Sequence, residues 1–283
     1  MIKVLNTGFY STIQDFGRVG FQQYGVPYSG VMDRKSAALA NVLLGNNKND
    51  GVIEMTMTGA RLQFKTATCI VLSGADMSAK LNDRFIRLNK IINVNPNDVL
   101  TFGKLKNGFR CYLAVLGGFN TETIMGSKSM YQNITKQVTL LKNDELLINE
   151  SSKINLNQHA SIRMDTSYMT SRIIDVFKGP EFDMLTDSQQ NQLFSKPFTI
   201  SKDNNRMAYQ LEESINNNIE SIITSPVLPG TVQLTPSGTL IVLMRDCQTT
   251  GGYPRVLQLQ ETGANILAQK FMGQSLYFKL TDV

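Results

Sequence analysis

A single histidine, His159, serves the whole chain, and only three cysteines, Cys69, Cys111 and Cys247, are scattered through its 283 residues. A Ser-His-Asp or Cys-His arrangement would rest on His159 alone, in polar surroundings, so neither is expected. The cysteines form no Cys-x-x-Cys pair and are odd in number, which argues against a zinc site or disulfide framework and for a reducing compartment. No run of about 18 apolar residues occurs, the length a membrane-crossing helix needs. The opening Met1-Ile2-Lys3-Val4-Leu5-Asn6 lacks the basic-then-apolar layout of a signal peptide, so a cytoplasmic location is expected. A complete phosphate loop is missing too. Gly126-Ser127-Lys128-Ser129 has the tail of one, but lacks the glycine directly before the lysine and its companion five residues earlier. Gly117-Gly118 is no dinucleotide fingerprint. With no His or Cys cluster, metal ligation would fall to the separate carboxylates Asp15, Asp33, Asp76 and Asp246, and no metal site is expected.

What is present is a globular composition. Apolar residues make up 42% of the chain, ample for a core, and the length suits two ordinary domains. The formal charge is +5, yet the densest basic stretch, Lys104-Leu105-Lys106-Asn107-Gly108-Phe109-Arg110, is short and lies between strand-like runs. A nucleic-acid footprint should be a stripe or patch, so none is inferred.

The most informative stretch is Asp246-Cys247-Gln248-Thr249-Thr250-Gly251-Gly252-Tyr253-Pro254. It follows Thr239-Leu240-Ile241-Val242-Leu243-Met244, which reads as a buried strand. One carboxylate, one amide, two hydroxyls and two glycines then share a loop at the strand end. Glycines let backbone N–H groups approach a ligand, so the loop suits an anion or carbonyl. The plain alternative is a hairpin turn with polar decoration. Cys247 lacks a histidine to activate it and reads as a small buried thiol.

Nearer the start, Gly8, Gly17, Gly20, Gly25 and Gly30 break residues 6–33 into pieces too short for regular structure, which predicts an ordered, aromatic-bearing loop packed on the body. Asp33 then reads as the N-cap of a helix with Ala37, Ala40, Leu43 and Leu44 on its apolar face and Gly45 at its end, with a ligand role as the alternative for Asp33. From residue 51 the pattern is β and occurs twice: Leu62–Leu72 leads to Asp76, and Val232–Leu243 leads to Asp246. Closing strands follow at Asn97–Phe102 and Gly273–Phe278. The spacing of roughly 170 residues is that of duplicated domains, not of a solenoid. Two related β domains, barrels or sandwiches, are expected at 1–165 and 166–283. A short helix at Asp183–Asn191 and a surface linker at Ser151–Asn157 are expected between the copies.

Set in order, Thr12-Ile13-Gln14-Asp15-Phe16-Gly17-Arg18, Gly25-Val26-Pro27-Tyr28-Ser29-Gly30-Val31-Met32-Asp33, Ser73-Gly74-Ala75-Asp76, Ala114–Phe119, Gly126–Ser129, Gly179-Pro180-Glu181, Asn205-Arg206-Met207-Ala208-Tyr209, Pro229–Gln233 and Asp246–Pro254 resemble one family over nearly the whole chain. It is the biotin-dependent carboxyltransferase family that includes allophanate hydrolase subunit 2, the carboxyltransferase part of urea carboxylase, the C subunit of the ATP-dependent 5-oxoprolinase and the antagonist of a sporulation histidine-kinase inhibitor. The resemblance implies a mainly β fold of two cyclophilin-like β-barrel domains with a few short helices, completed by a separate B subunit. It implies ATP-driven opening of 5-oxoproline to glutamate, with ATP at or with the partner subunit. The alternatives are a urea-type carboxyltransferase with biotin on another chain, or a non-catalytic regulator that binds a kinase-inhibitor-like protein.

A lactam or urea offers N–H donors and a carbonyl. Asp246 is the candidate acceptor, with Gln248 or Arg206 and the glycine-loop amides at the oxygen where charge develops. Gln14, Asp15, Arg18, Asp33, Thr249, Thr250, Gly251, Gly252 and Tyr253 are the candidate substrate-binding residues. The sequence departs from the family at Cys247, at Ala208 and Gln210, at Lys128 and across residues 131–138.

Overall fold

The structure, a computed structural model, describes residues 1–149 and 165–281. The proposed linker Ser151–Asn157 and His159 lie outside the described residues. By its internal contacts the chain divides into two bodies: Met1–Arg18 with Ser29–Ser167, and Val19–Tyr28 with Tyr168–Val283. The architecture is mainly β with three short α-helices among the described residues, as the sequence leads one to expect.

In the first body the strands are β1 (Ile2–Asn6), β2 (Tyr10–Gln14), β3 (Val52–Thr56), β4 (Arg61–Phe64), β5 (Thr68–Asp76), β6 (Lys80–Leu81), β7 (Arg84–Phe85), β8 (Ile92–Val94), β9 (Val99–Thr101), β10 (Asn107–Val115) and β11 (Glu145–Leu146). They form a six-stranded sheet, β11-β1-β4-β9-β6-β7, and a five-stranded sheet, β2-β3-β10-β5-β8. Side-chain alternation explains the packing. Ile70 and Leu72 of β5, Leu113 of β10 and Ile53 of β3 meet Ile2, Val4, Leu62, Phe64 and Leu100 of the other sheet in one core. Their neighbours Cys69, Val71, Tyr112 and Ala114 point to the opposite face, where Ala37, Ala40 and Leu44 of helix α1 (Arg34–Leu43) and its end cover them. A sheet buried on both faces has no polar side to show, so Cys69-Ile70-Val71-Leu72 reads as a continuous apolar run.

Helix α1 begins where expected: Asp33 Oδ1 accepts from the Ser36 backbone N–H at 3.0 Å. The glycine-punctuated region departs from its forecast. Residues 10–14 are regular strand, and β2 pairs with β3 over five residues, Tyr10↔Thr56 to Gln14↔Val52. Glycines spaced widely enough leave room for one short strand whose pairing supplies the order.

The second body holds β12 (Ile173–Lys178), β13 (Phe198–Asn204), β14 (Ala208–Ser214), β15 (Ser225–Pro226), β16 (Thr231–Leu234), β17 (Thr239–Leu243), β18 (Thr250–Gly251), β19 (Arg255–Leu259) and β20 (Ser275–Leu280). Seven of these close into a barrel, β12-β19-β16-β17-β14-β13-β20, sealed by the parallel pairing of β12 with β20. Buried alternate residues, among them Val176, Ile200, Leu211, Val232, Leu240 and Val242, supply its core. Each contributes about 1.5–3 kcal/mol by burial. Helix α2 (Asp187–Ser195) starts four residues later than expected, because Thr186 and Gln189 form a capping box there and the preceding Phe182–Met184 is a 3-10 turn. Helix α3 (Glu261–Ala268), which the sequence pattern did not announce, packs on β12 and β19. The β15–β18 ribbon stands outside the barrel and carries part of the Asp246–Pro254 loop, Ser225↔Gly251 and Pro226↔Thr250.

Candidate functional site

The residues singled out in the sequence fall into two groups, one in each body. In the first, Gln14, Asp15, Arg18 and Asp33 are all buried. Asp15 is the hub. Its Oδ1 accepts from Ser127 Oγ at 2.6 Å, Ser129 Oγ at 2.7 Å and the Gly17 N–H at 2.8 Å, and its Oδ2 accepts from the Lys128 N–H at 2.7 Å. Gln14 Oε1 accepts from the Gly30 N–H at 3.1 Å, while its amide donates to the Met130 carbonyl. Arg18 donates to the Ser129 carbonyl at 2.6 Å. Gly30 sits at φ 92°, and a Cβ there would lie 2.8 Å from Gly17 N, which ties this glycine to the Gln-Asp-x-Gly-Arg turn.

This group is a hydrogen-bonded nucleus. Asp15 has the acceptor capacity for all four donors, and the two hydroxyls are satisfied in the buried interior. The same bonds dispose of phosphate binding at Gly126–Ser129. Both hydroxyls and one amide face a carboxylate, and Lys128 Nζ is spent on the Phe119 carbonyl at 2.6 Å. An ATP phosphate does not fit this loop. Beside the nucleus, Asp33 caps α1 and its own N–H donates to Tyr112 Oη at 2.8 Å. Buried Glu54 takes the Met32 N–H at 2.7 Å and lies 3.8 Å from Arg110. Burial pushes the Tyr112 phenol well up.

In the second body, Asp246 leaves β17 and meets Arg206 in a two-pronged pair: Nε to Oδ2 at 2.8 Å and Nη2 to Oδ1 at 3.0 Å. The Asp246 N–H also donates to the Arg206 carbonyl at 2.9 Å. Cys247 turns inward against Val227 and Leu243. Burial pushes its thiol up to about 12, so it stays protonated at neutral pH and makes a poor nucleophile. Backbone bonds pin the rest of the loop: Val227 N–H to Thr249 O, Ile222 N–H to Gly252 O and Leu234 N–H to Pro254 O. Its side chains are less engaged. Among the described residues Gln248 Oε1 has no partner. Thr250 and Tyr253 face solvent. A fixed backbone carrying uncommitted polar groups is what a binding loop requires.

The structure thus brings Asp246 and Arg206 together with Gln248, Thr249, Thr250, Gly251, Gly252 and Tyr253 in one body. Gln14, Asp15, Arg18 and Asp33 form a separate cluster in the other. Sequence reasoning overlooked two pairs near the loop. Arg255, directly after Pro254, forks onto Glu181, and Arg245, directly before Asp246, pairs with Glu261. The Gly179-Pro180-Glu181 motif was visible, but nothing in it named Arg255. Among the described residues no group of three or more His, Cys, Asp or Glu has the arrangement of a metal site.

The model of the carboxyltransferase domain, subdomains A and B, matches residues 24–280. The chain belongs to this carboxyltransferase family. A family member from Escherichia coli (strain K12), the C subunit of 5-oxoprolinase, is 32% identical over 284 residues, which cover 98% of this chain and 90% of that protein. The urea amidolyase of Lachancea kluyveri is 44% identical over 46% of this chain and 7% of its own length. The crystal structure of the K. lactis urea amidolyase superposes with a TM-score of 0.86 at 25% identity, covering 98% of this chain and 18% of that one. Other solved chains of this fold are also longer, this chain covering 55% of one of them. The 5-oxoprolinase subunit and the urea amidolyases among these relatives are enzymes or subunits of enzymes. No helix among the described residues is long and apolar enough to cross a membrane.

Proposed function

We propose that this carboxyltransferase-family chain is the C subunit of an ATP-dependent 5-oxoprolinase, which opens the lactam of 5-oxoproline to glutamate together with a B subunit. The observation that carries the proposal is the end-to-end sequence match with the E. coli C subunit; the sequence match with a urea amidolyase spans 46% of the chain, although the urea amidolyase fold superposes over 98% of it. In this reading the Asp246–Pro254 loop meets the substrate. A lactam presents one N–H and one carbonyl. Asp246, whose two oxygens accept from Arg206, is the carboxylate of this loop and the group that would accept the ring N–H. In this reading Arg206 acts through Asp246 by orienting its carboxylate, rather than by holding the oxygen as the sequence also allowed. The Gln248 amide and the Gly252 backbone N–H remain for the carbonyl oxygen, where charge develops as water adds and the C–N bond breaks.

ATP supplies the driving force and is bound at or with the B subunit, since the Gly126–Ser129 loop does not fit its phosphates. Carboxyl transfer to a urea-like amide from biotin on another chain is the competing reading, and it would present similar N–H and carbonyl groups to the same loop. Capture of the partner by the tagged chain, followed by phosphate release in the presence and absence of 5-oxoproline, tests the proposal. Lactam-dependent phosphate release by the pair, and none by this chain alone, is expected. Release that ignores 5-oxoproline would refute it.

A further inference from the structure

The Asp246–Pro254 loop is braced from outside by two residues that the proposed chemistry does not use. Arg255 makes four donations. Its backbone N–H and Nε reach Glu181 Oε2 at 2.8 and 2.9 Å, Nη2 reaches Glu181 Oε1 at 2.7 Å, and Nη1 reaches the Pro226 carbonyl at 2.9 Å. Pro226 is the β15 residue paired with Thr250, and the next residue, Val227, donates its N–H to the Thr249 carbonyl at 3.0 Å. One guanidinium therefore joins three chain segments: the turn after β12, the β15 edge and the exit of the glycine loop. The turn is itself held tightly. The Glu181 N–H donates to the Arg255 carbonyl at 3.2 Å, and a Cβ at Gly179 would lie 2.0 Å from that same oxygen, so only glycine fits. In contrast, among the described residues neither the Thr249 nor the Thr250 hydroxyl has a partner, nor has Gln248 Oε1.

We infer that Glu181 and Arg255 are positioning residues for the proposed reaction, a strut that fixes the backbone at Thr249–Gly251 while leaving the loop's side chains available to substrate. The inference rests on the reading of this loop as the lactam site. Its physical basis is the planar guanidinium, which serves a carboxylate with two parallel bonds and still has a donor for a carbonyl elsewhere. The pair is largely buried, its side chains 17% and 13% exposed, so breaking it costs stability as well as position. Small displacements of groups around a reacting centre cost rate in addition.

The test uses the reconstituted pair of subunits with Arg255→Lys and Glu181→Gln. Lysine keeps the charge but cannot hold Glu181 and the Pro226 carbonyl together; glutamine keeps one acceptor and loses the charge. The expected result is a kcat for 5-oxoproline, measured well below the melt, lower by roughly tenfold in Arg255→Lys and several-fold in Glu181→Gln, with KM within about threefold and a loss larger than the accompanying fall in Tm explains. Glu213→Gln is the structural control, because Glu213 holds the Thr199 N–H and hydroxyl and has no bond to the loop. It should lower Tm and leave kcat unchanged. Normal parent turnover with unaltered kcat in both variants overturns the inference alone, as does a kcat loss that merely tracks Tm. No 5-oxoproline turnover by the parent pair removes the underlying reading and the inference with it. Should Arg255→Lys fail to fold, Glu181→Gln, which retains the Pro226 bond, decides the matter.

Discussion

Replacing Asp246 by Asn changes one oxygen to an NH2 group and removes a charge while keeping the shape. The sequence alone allowed this substitution to be silent, since Asn caps a turn nearly as well as Asp. The structure changes that expectation. Arg206 Nε and Nη2 donate to the two Asp246 oxygens from side chains 7% and 13% exposed, so whichever way the amide is turned, one guanidinium N–H faces another donor. Removing one partner of such a pair costs about 3 kcal/mol, mostly because Arg206 stays charged and largely buried once the Asp246 charge is gone. In a body of this size that is a Tm drop on the order of 10 °C. Turnover should fall separately. A hydrogen bond to a charged acceptor contributes about 1.5–3 kcal/mol, so loss of the Asp246 bond to a lactam N–H lowers kcat/KM by at least roughly tenfold. The assay is therefore double: a thermal melt, and 5-oxoproline turnover by the subunit pair well below the melt. The companion Arg206→Met/Asp246→Leu removes both charges and should recover much of the lost Tm without recovering turnover. Melting and kinetics of Asp246→Asn both equal to the parent would refute the reasoning.

Asp76→Asn, the matching acid of the first body, should cost less in both measurements, because the Asp76 side chain is 40% exposed and its Lys106 contact is 3.8 Å long, against the two short bonds of the Arg206 pair; a larger loss than for Asp246→Asn would contradict the assignment. Cys247→Ser should keep turnover within several-fold and lower Tm modestly by placing a hydroxyl among Val227 and Leu243; a roughly 1,000-fold loss in a folded protein would make the thiol catalytic. Asp15→Asn should impair folding of the first body, since an amide would meet the donors Ser127, Lys128 and Ser129; a parent-like melt with a raised KM would place Asp15 at the substrate. The bonds from Arg255 hold the Glu181 carboxyl below the usual carboxylate range. Its contribution to stability is thus complete above the unfolded value and is lost as pH falls through the folded one. Tm plotted against acid pH should be flatter for Glu181→Gln, and parallel curves would contradict this.

Local features were legible in the sequence because neighbours decide them. The Asp33 cap, the buried run ahead of Asp246 and the strands at residues 99–101 and 275–280 all follow from residues within one element. What could not be read depends on partners far along the chain. Asp15 finds its hydroxyl donors more than 110 residues away, and Asp246 finds Arg206 40 residues back. Both carboxylates looked like free ligands for that reason. In the first body the motif segments come together as a buried polar nucleus. The Ser-Lys-Ser segment that failed as a phosphate loop proves to be the other half of that nucleus. Barrel closure through the parallel β12–β20 pair joins the two ends of the second body, and no local pattern announces it. Helix α3 was missed because its eight residues follow β19 with a single residue between, and no side chain caps its start.

Product analysis with 5-oxoproline and urea supplied in parallel to the reconstituted pair and ATP decides whether the chain works in lactam opening. Glutamate formed from 5-oxoproline in step with ADP, with urea giving no stimulation, is the expected result. Urea-stimulated ATP consumption that requires a biotin-bearing chain, with no glutamate from 5-oxoproline, would contradict it.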